Sequence, residues 1–257
     1  MPYMISGIAL LFGLVIGSFL NVLIYRIPKG EDCVKTSSHC MSCSHQLAWY
    51  DLIPLFSWIF LGGKCRYCRS RISLQYPFVE LINGILWFAV FLLFLVNTEL
   101  NYIVLIRALL HALMCSSLLA LSVIDFKTYE IPVGFNVFIG ILGISNLLLE
   151  PKLWLDALIG FFCISIPLLI ILLASKGRAI GGGDVKLMAV CGLMLGWQKI
   201  CFALVAGCIL GSVIHIIRMK VSGADRVLAM GPYLSAGVVL AVFVCDPFLE
   251  WYLSFLV

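Results

Sequence analysis

Four cysteines and two aspartates stand apart in this sequence by their spacing. Cys40-Met-Ser-Cys43 and Cys65-Arg-Tyr-Cys68 form two CxxC pairs with 21 residues between them. Two such turns can present four thiolates to one tetrahedral ion, as in a zinc ribbon. Four reduced thiols or two disulfides are the other readings, and a cytoplasmic setting disfavours disulfides. Cys33 lies outside the pattern, and His39 and His45 become ligands only if a cysteine is displaced. A four-sulfur site has no open coordination position, so the zinc would be structural. It would contribute folding free energy to a segment with few apolar stripes of its own. The six cysteines at 115, 163, 191, 201, 208 and 245 lie singly in apolar runs and read as packing residues.

Asp125 ends an apolar run (Leu121-Ser122-Val123-Ile124-Asp125), and Asp184 opens another after Gly181-Gly182-Gly183. An ionisable group at membrane depth costs about 2.5–3.5 kcal/mol even on mild scales, which makes it a functional candidate. Taken singly, Asp184 reads equally as a helix N-cap and Asp125 as a snorkelling surface charge. As a pair they can hold a water between one ionised and one protonated carboxyl, an arrangement that hydrolyses peptide bonds. Three glycines would let a substrate backbone approach and would tolerate unusual φ values. The helix dipole favours Asp184, at an N-terminus, as the ionised base and Asp125, at a C-terminus, as the protonated acid. Lys186 either supports an ionised pair or substrate, or is an ordinary basic residue of the cytoplasmic side. Glu80 either fixes a basic substrate residue or pairs with arginines near it in sequence. Gly181, Gly182, Gly183, Lys186 and Glu80 are thus the substrate-positioning candidates.

The elements that must carry these residues follow from composition. The 257 residues are 63% hydrophobic and 12% charged, against about 25% charged in soluble domains. That excludes a soluble domain, a disordered chain and a secreted disulfide scaffold. Residues 26–76 hold ten of the charged side chains in a fifth of the length. The remainder reads as about eight transmembrane helices, at roughly 20–25 residues per span with its turn: 4–25, 77–97, 102–124, 131–149, 153–174, 184–198, 199–217 and 231–255. The first lacks a preceding basic cluster, so it reads as a retained span and not a signal peptide.

If all eight cross, alternate loops and their flanks carry 14 of the 17 Lys and Arg, leaving only Arg107, Lys152 and Lys199 on the other side. The positive-inside rule places the charged insert in the cytoplasm and both termini outside. The fold class is therefore an all-α polytopic membrane protein with a small zinc-ribbon-like insert. A net charge of +4, with the basic residues beside a membrane, gives no case for nucleic acid. A zinc-containing transporter is a rival from another class, since glycine breaks and buried acids suit ion sites. It requires no zinc insert, and no inverted repeat is visible between the halves.

The chain resembles the type IV prepilin peptidases, which belong with the GxGD-type intramembrane aspartic proteases. The likeness runs through Gly17-Ser18-Phe19-Leu20-Asn21-Val22, Tyr25-Arg26-Ile27-Pro28, Cys40 and Cys43, and Trp49-Tyr50-Asp51-Leu52-Ile53-Pro54. It continues through Gly63-Lys64-Cys65-Arg66, Cys68, Tyr76-Pro77 and Glu80. Ile124-Asp125, Ile131-Pro132, Gly181-Gly182-Gly183-Asp184-Val185-Lys186-Leu187 and Gly231-Pro232-Tyr233 complete it. Val133 departs from the Asp or Asn usual after the Ile-Pro pair. The resemblance implies that Asp125 and Asp184 are the proteolytic pair and that the substrates are prepilin or pseudopilin precursors. Their short basic leader would be cut on the cytoplasmic face of the bacterial inner membrane. It also implies N-methylation of the new N-terminus from S-adenosylmethionine, associated with the insert, for which no glycine-rich nucleotide fingerprint is visible. A leader peptidase without methyltransferase activity is the nearer alternative. The implied organisation is a first helix (1–25), a four-cysteine zinc-binding insert (26–76) and a transmembrane aspartic peptidase domain (77–257).

Overall fold

A computed structural model describes residues 1–33, 37–96, 98–222 and 228–255; Lys35 and Arg226, two of the 14 basic residues counted on one side, lie outside them. The described residues form ten α-helices and no strand beyond two isolated bridges. They divide into two compact units, Met1–Ala120 and Leu121–Val257, with the boundary inside one helix.

In the first unit, α1 (Pro2–Arg26) packs against α3 (Gln75–Val96). The Gly13 and Gly17 pair, four residues apart, makes this crossing possible. A Cβ at Gly13 would lie 2.8 Å from the Trp87 side chain, and one at Gly17 would lie 2.7 Å from the Glu80 backbone. Small residues at such spacing let helix backbones meet. A buried polar chain ties in α4 (Tyr102–Thr128). The Trp87 indole N–H donates to Ser116 Oγ (2.8 Å), Ser116 donates to Asn83 Oδ1 (2.7 Å), and the Asn83 amide donates to Gly13 O (2.7 Å). Every member is satisfied, which a buried network requires. Between α1 and α3 lies the cysteine insert, whose one helix is the short α2 (Phe56–Phe60).

The second unit holds α5 (Val133–Leu149), α6 (Trp154–Cys163), α7 (Ser165–Ala174), α8 (Gly182–Leu195), α9 (Trp197–Ser222) and α10 (Gly231–Leu253). Pro167 has no N–H to offer the carbonyl of Cys163, and α6 gives way to α7 there. Helix α8 packs on α5 and α6, and α9 packs on α10. The α6–α8 crossing brings the backbones of Gly160 and Gly192 together so closely that neither position has room for a Cβ. Gly196, with φ +83°, ends α8 in a left-handed turn. The Asp156 carboxylate sits where a side chain at 196 would go and accepts the Trp197 N–H at 3.4 Å.

Six described stretches are long and apolar enough to cross a bilayer: Pro2–Lys29, Gln75–Val96, Tyr102–Thr128, Pro151–Ala174, Trp197–Val221 and Gly231–Leu253. Their outward residues, such as Ile8, Leu11, Phe12 and Val15 on α1, are apolar and exposed, as lipid-facing surfaces are. The protein is thus an all-helical, multi-pass membrane protein. The count of eight rests on α5, with 17 residues, and α8, with 14. The α8 span expected at 184–198 instead starts at Gly182 and stops at Gly196, because the left-handed glycine releases the chain into α9 early.

Candidate active site and cysteine cluster

Asp125 lies three residues before the end of α4, and its side chain is buried. Its Oδ2 accepts the backbone N–H of Gly231 at 2.9 Å. Gly231 is the first residue of α10, so a helix N-terminus points at this carboxylate. A Cβ at position 231 would stand 2.6 Å from Asp125 Oδ2, which explains the glycine. Asp184 is also buried and is the third residue of α8, not its N-cap. Its Oδ2 reaches back to accept the N–H of the N-cap, Gly181, at 3.3 Å. Asp184 lies in the electrostatic field of Asp125. Both aspartates belong to the second unit, each held by a glycine N–H at the start of a helix. That symmetry removes the premise on which the dipole argument separated base from acid, since Asp125 also faces a helix N-terminus.

The glycine run serves packing in part. A Cβ at Gly183 would press on Ile131 Cβ at 3.0 Å, and one at Gly181 would approach Asp184 Oδ2 at 3.1 Å. None of the three has a positive φ, so conformational freedom is not what selects them. Gly182 is exposed with nothing nearer than Leu172 Cδ2 at 4.0 Å, and it is the one open to an approaching chain. Lys186 projects from the exposed side of α8 while Asp184 is buried. Glu80 belongs to the first unit, where its Oε2 accepts the Leu55 N–H at 2.8 Å. The arginine Arg66 pairs instead with Asp51, at 2.7 Å.

Two residues carry more than spacing could reveal. Gly231 is legible only as part of a late Gly-Pro-Tyr motif, because its hydrogen-bond partner lies far away in the chain, at Asp125. Asn136 sits one turn before Gly140, whose Cβ position faces Val190 of α8. Its amide is buried with neither oxygen nor nitrogen hydrogen-bonded among the described residues, an expensive state for a polar group. An isolated Asn in an apolar helix is the only signal the sequence offers for it.

The cysteine insert contains the same turn twice. The Cys40 N–H donates to His45 O (2.9 Å) and the Ser44 N–H to Cys40 O (2.8 Å); the Cys65 N–H donates to Ser70 O (2.8 Å) and the Arg69 N–H to Cys65 O (3.0 Å). An antiparallel bridge closes each turn, His39 with Gln46 and Lys64 with Arg71. Ser44 and Arg69 take matching left-handed conformations, with φ 56° and 60°. The four sulfurs lie within 4.8 Å of one another, with Cys40 and Cys68 at 3.8 Å. Four sulfurs about 2.3 Å from a tetrahedral ion lie roughly 3.8 Å apart, so the cluster could hold one metal ion.

All four cysteines are free, which removes the disulfide reading. The rival ligands are engaged elsewhere: the His45 ring packs at a tilt against Tyr67, and His39 Nδ1 lies 3.3 Å from Ser37 O. Burial opposes ionisation of Cys40, but the backbone of Ser42 and Cys43 and the Ser70 hydroxyl bring its thiol down to about 6. The backbone at His45 pulls Cys43 down, yet desolvation and the neighbouring Cys40 and Cys68 push it up to about 11. A cation among the four sulfurs would favour the thiolate form of each.

Residues 11–94, which include all four cysteines, match the bacterial peptidase A24 N-terminal domain. Residues 112–216, which include both aspartates, match the type IV leader peptidase family. The chain is 34% identical to the prepilin leader peptidase/N-methyltransferase of Myxococcus xanthus (strain DK1622) over 82% of its own length and 62% of that protein. It is 33% identical to the protein of that name from Pectobacterium carotovorum subsp. carotovorum, over 90% of both chains. With that of Aeromonas hydrophila it shares 28% identity over 99% of its length and 96% of the relative. No solved structure matches the chain. Carrying both the cysteine-bearing and the aspartate-bearing halves in order, the chain belongs to the type IV leader peptidase family.

Proposed function

We propose that this protein cleaves the leader of prepilin-like or pseudopilin precursors by aspartic proteolysis and then N-methylates the new N-terminus. The observation that carries the proteolytic reading is the pair of buried carboxylates, Asp125 and Asp184, each oriented by a glycine N–H and close enough to interact. One carboxylate takes a proton from a water whose oxygen attacks the scissile carbonyl carbon. The other, protonated, gives its proton to the carbonyl oxygen. Collapse of the tetrahedral adduct breaks the C–N bond as the departing nitrogen is protonated. The backbone N–H groups of Gly231 and Gly181 fix where the carboxylate oxygens stand throughout. The exposed Gly182 leaves a path for the substrate backbone past the first turn of α8.

The cysteine cluster holds structural zinc in this reading, because all four ligands are protein sulfurs and no coordination position is left for chemistry. S-adenosylmethionine, when bound, supplies an electrophilic methyl group. In this reading the insert and the dyad lie on the cytoplasmic face of the inner membrane, which the excess of Lys and Arg in one set of loops supports. The partners are precursor and bilayer, with no role for nucleic acid.

The test is mass spectrometry of a pilin-like precursor incubated with the purified full chain in detergent, with and without S-adenosylmethionine. Loss of the leader mass, and a further methyl only when the donor is present, is the expected result. Asp125→Asn or Asp184→Asn lowers cleavage by roughly 10²–10⁴-fold or more. Full cleavage by either variant refutes the aspartic mechanism.

A further inference from the structure

We propose that the methyl donor binds in the cavity enclosed between the cysteine insert and helices α1 and α3, with the Glu80 carboxylate facing its positive charge. This rests on the N-methylation half of the function proposed above. The cavity lies wholly in the first unit and has a volume of about 550 Å³, inside the roughly 300–1,000 Å³ range of small-ligand sites.

S-adenosylmethionine presents a sulfonium cation, an amino-acid end with charges of both signs, a ribose diol and an adenine, and the walls have counterparts for the cation and the adenine. Glu80 is 7% exposed, and among the described residues its partners are neutral: the Leu55 N–H at 2.8 Å and the Ser18 hydroxyl. A buried carboxylate without a counter-ion is costly, and a sulfonium or ammonium group supplies the missing charge. Tyr25, Trp58 and Tyr76 line the same space. One face of Tyr25 already carries Lys29 Nζ, 3.6 Å from the ring centroid; the rings of Trp58 and Tyr76 suit an adenine and attract cations. Trp58 is held in place, since its indole N–H donates to Ile72 O at 3.4 Å and its ring lies 2.8 Å from where a Cβ would stand at Gly63. Arg26, buried on the same wall, is held there by donating to Asp32 O at 3.0 Å and Ser37 O at 3.2 Å.

The wall is also strained at one point. Leu55 has φ +61° and ψ −52°, a conformation that side-chain-bearing residues rarely adopt. The Glu80 carboxylate accepts its N–H and so holds the loop in that shape. Strain of this kind persists where surrounding structure over-determines it, commonly at ligand sites. Here the hydrogen bond ties the Leu55 loop to the Glu80 carboxylate on the wall of the cavity.

The experiment photolabels the full wild-type chain in detergent with 8-azido-S-adenosylmethionine and maps the adduct by mass spectrometry. The expected adducts fall within residues 18–26, 47–61 or 70–80 and disappear with excess S-adenosylhomocysteine. Label confined to residues 121–257, or no displaceable label, overturns the proposal. As a second measurement, Val22→Trp places a large ring in the cavity. Overpacking of this kind weakens donor binding about tenfold or more in calorimetry, and unchanged affinity in a folded variant overturns the proposal. If Val22→Trp loses its fold, the wild-type labelling alone decides. Methylated precursor with label elsewhere sinks only the cavity assignment. Cleaved precursor with neither methyl nor label removes the methyltransferase reading with it.

Discussion

Replacing Gly231 by alanine isolates the placement of one carboxylate from its chemistry. The new methyl would stand 2.6 Å from Asp125 Oδ2 and 3.0 Å from Cγ, where ordinary contact begins at 3.4 Å. The Asp125 side chain must therefore retreat by roughly 0.8 Å, stretching its 2.9 Å bond from the Gly231 N–H. A hydrogen bond to a charged acceptor is worth about 1.5–3 kcal/mol, and a misplacement near 1 Å at a reacting group costs about 100-fold in rate. The expected outcome is a fall in kcat of about 100-fold with KM changed little, because the loss is confined to the transition state. Cleavage of a precursor followed by gel or mass spectrometry reads both constants. Gly134→Ala is the control: nothing lies within 4 Å of its Cβ position, so stability stays within about 0.5 kcal/mol and kcat does not move. A folded Gly231→Ala enzyme cleaving within about threefold of wild type would show that this contact does not position Asp125.

Two further outcomes test the scaffold. Cys65, the most buried of the four sulfurs, becomes a poor ligand as serine. Cys65→Ser should lose its metal by elemental analysis and melt at a lower temperature, since structural zinc contributes about 10–16 kcal/mol of apparent binding free energy; a wild-type chain folded and free of metal would contradict this. Gly192→Ala drives a methyl into the Gly160 backbone. It should destabilise the second unit by more than the roughly 1–3 kcal/mol typical of overpacking, seen as loss of monodisperse protein after detergent extraction, whereas a normal yield and melting point would mean that α6 and α8 separate at little cost.

Much of the site is legible in the sequence because its residues are costly where they stand. Asp125 and Asp184 announce themselves as carboxylates at the ends of apolar runs, and two CxxC pairs leave few readings other than a metal. Gly13 and Gly17 likewise declare a tight helix crossing by their spacing. What could not be read are relations between distant residues. The N–H of Gly231 meets Asp125 only after α9 and α10 have folded, and this contact undoes an electrostatic argument built on one helix at a time. The shortness of α8 depends on where Gly196, at φ +83°, and the Asp156 carboxylate stop the chain. Hydropathy averages over such details. Glu80 shows a different limit: its sequence position suggested a charged partner, while the fold gave it a strained backbone N–H.

The length of α8 has a consequence for the lipid around it. Fourteen residues rise roughly 21 Å, whereas the hydrocarbon layer is about 30 Å thick. A segment that falls short by a third does not reach both faces of the layer by itself, and its buried side chains, Leu187, Met188 and Cys191 among them, meet protein where a lone span would meet lipid. Its first turn divides the same way: Asp184 turns into the protein, while Gly181 and Gly182 are left open to the surroundings.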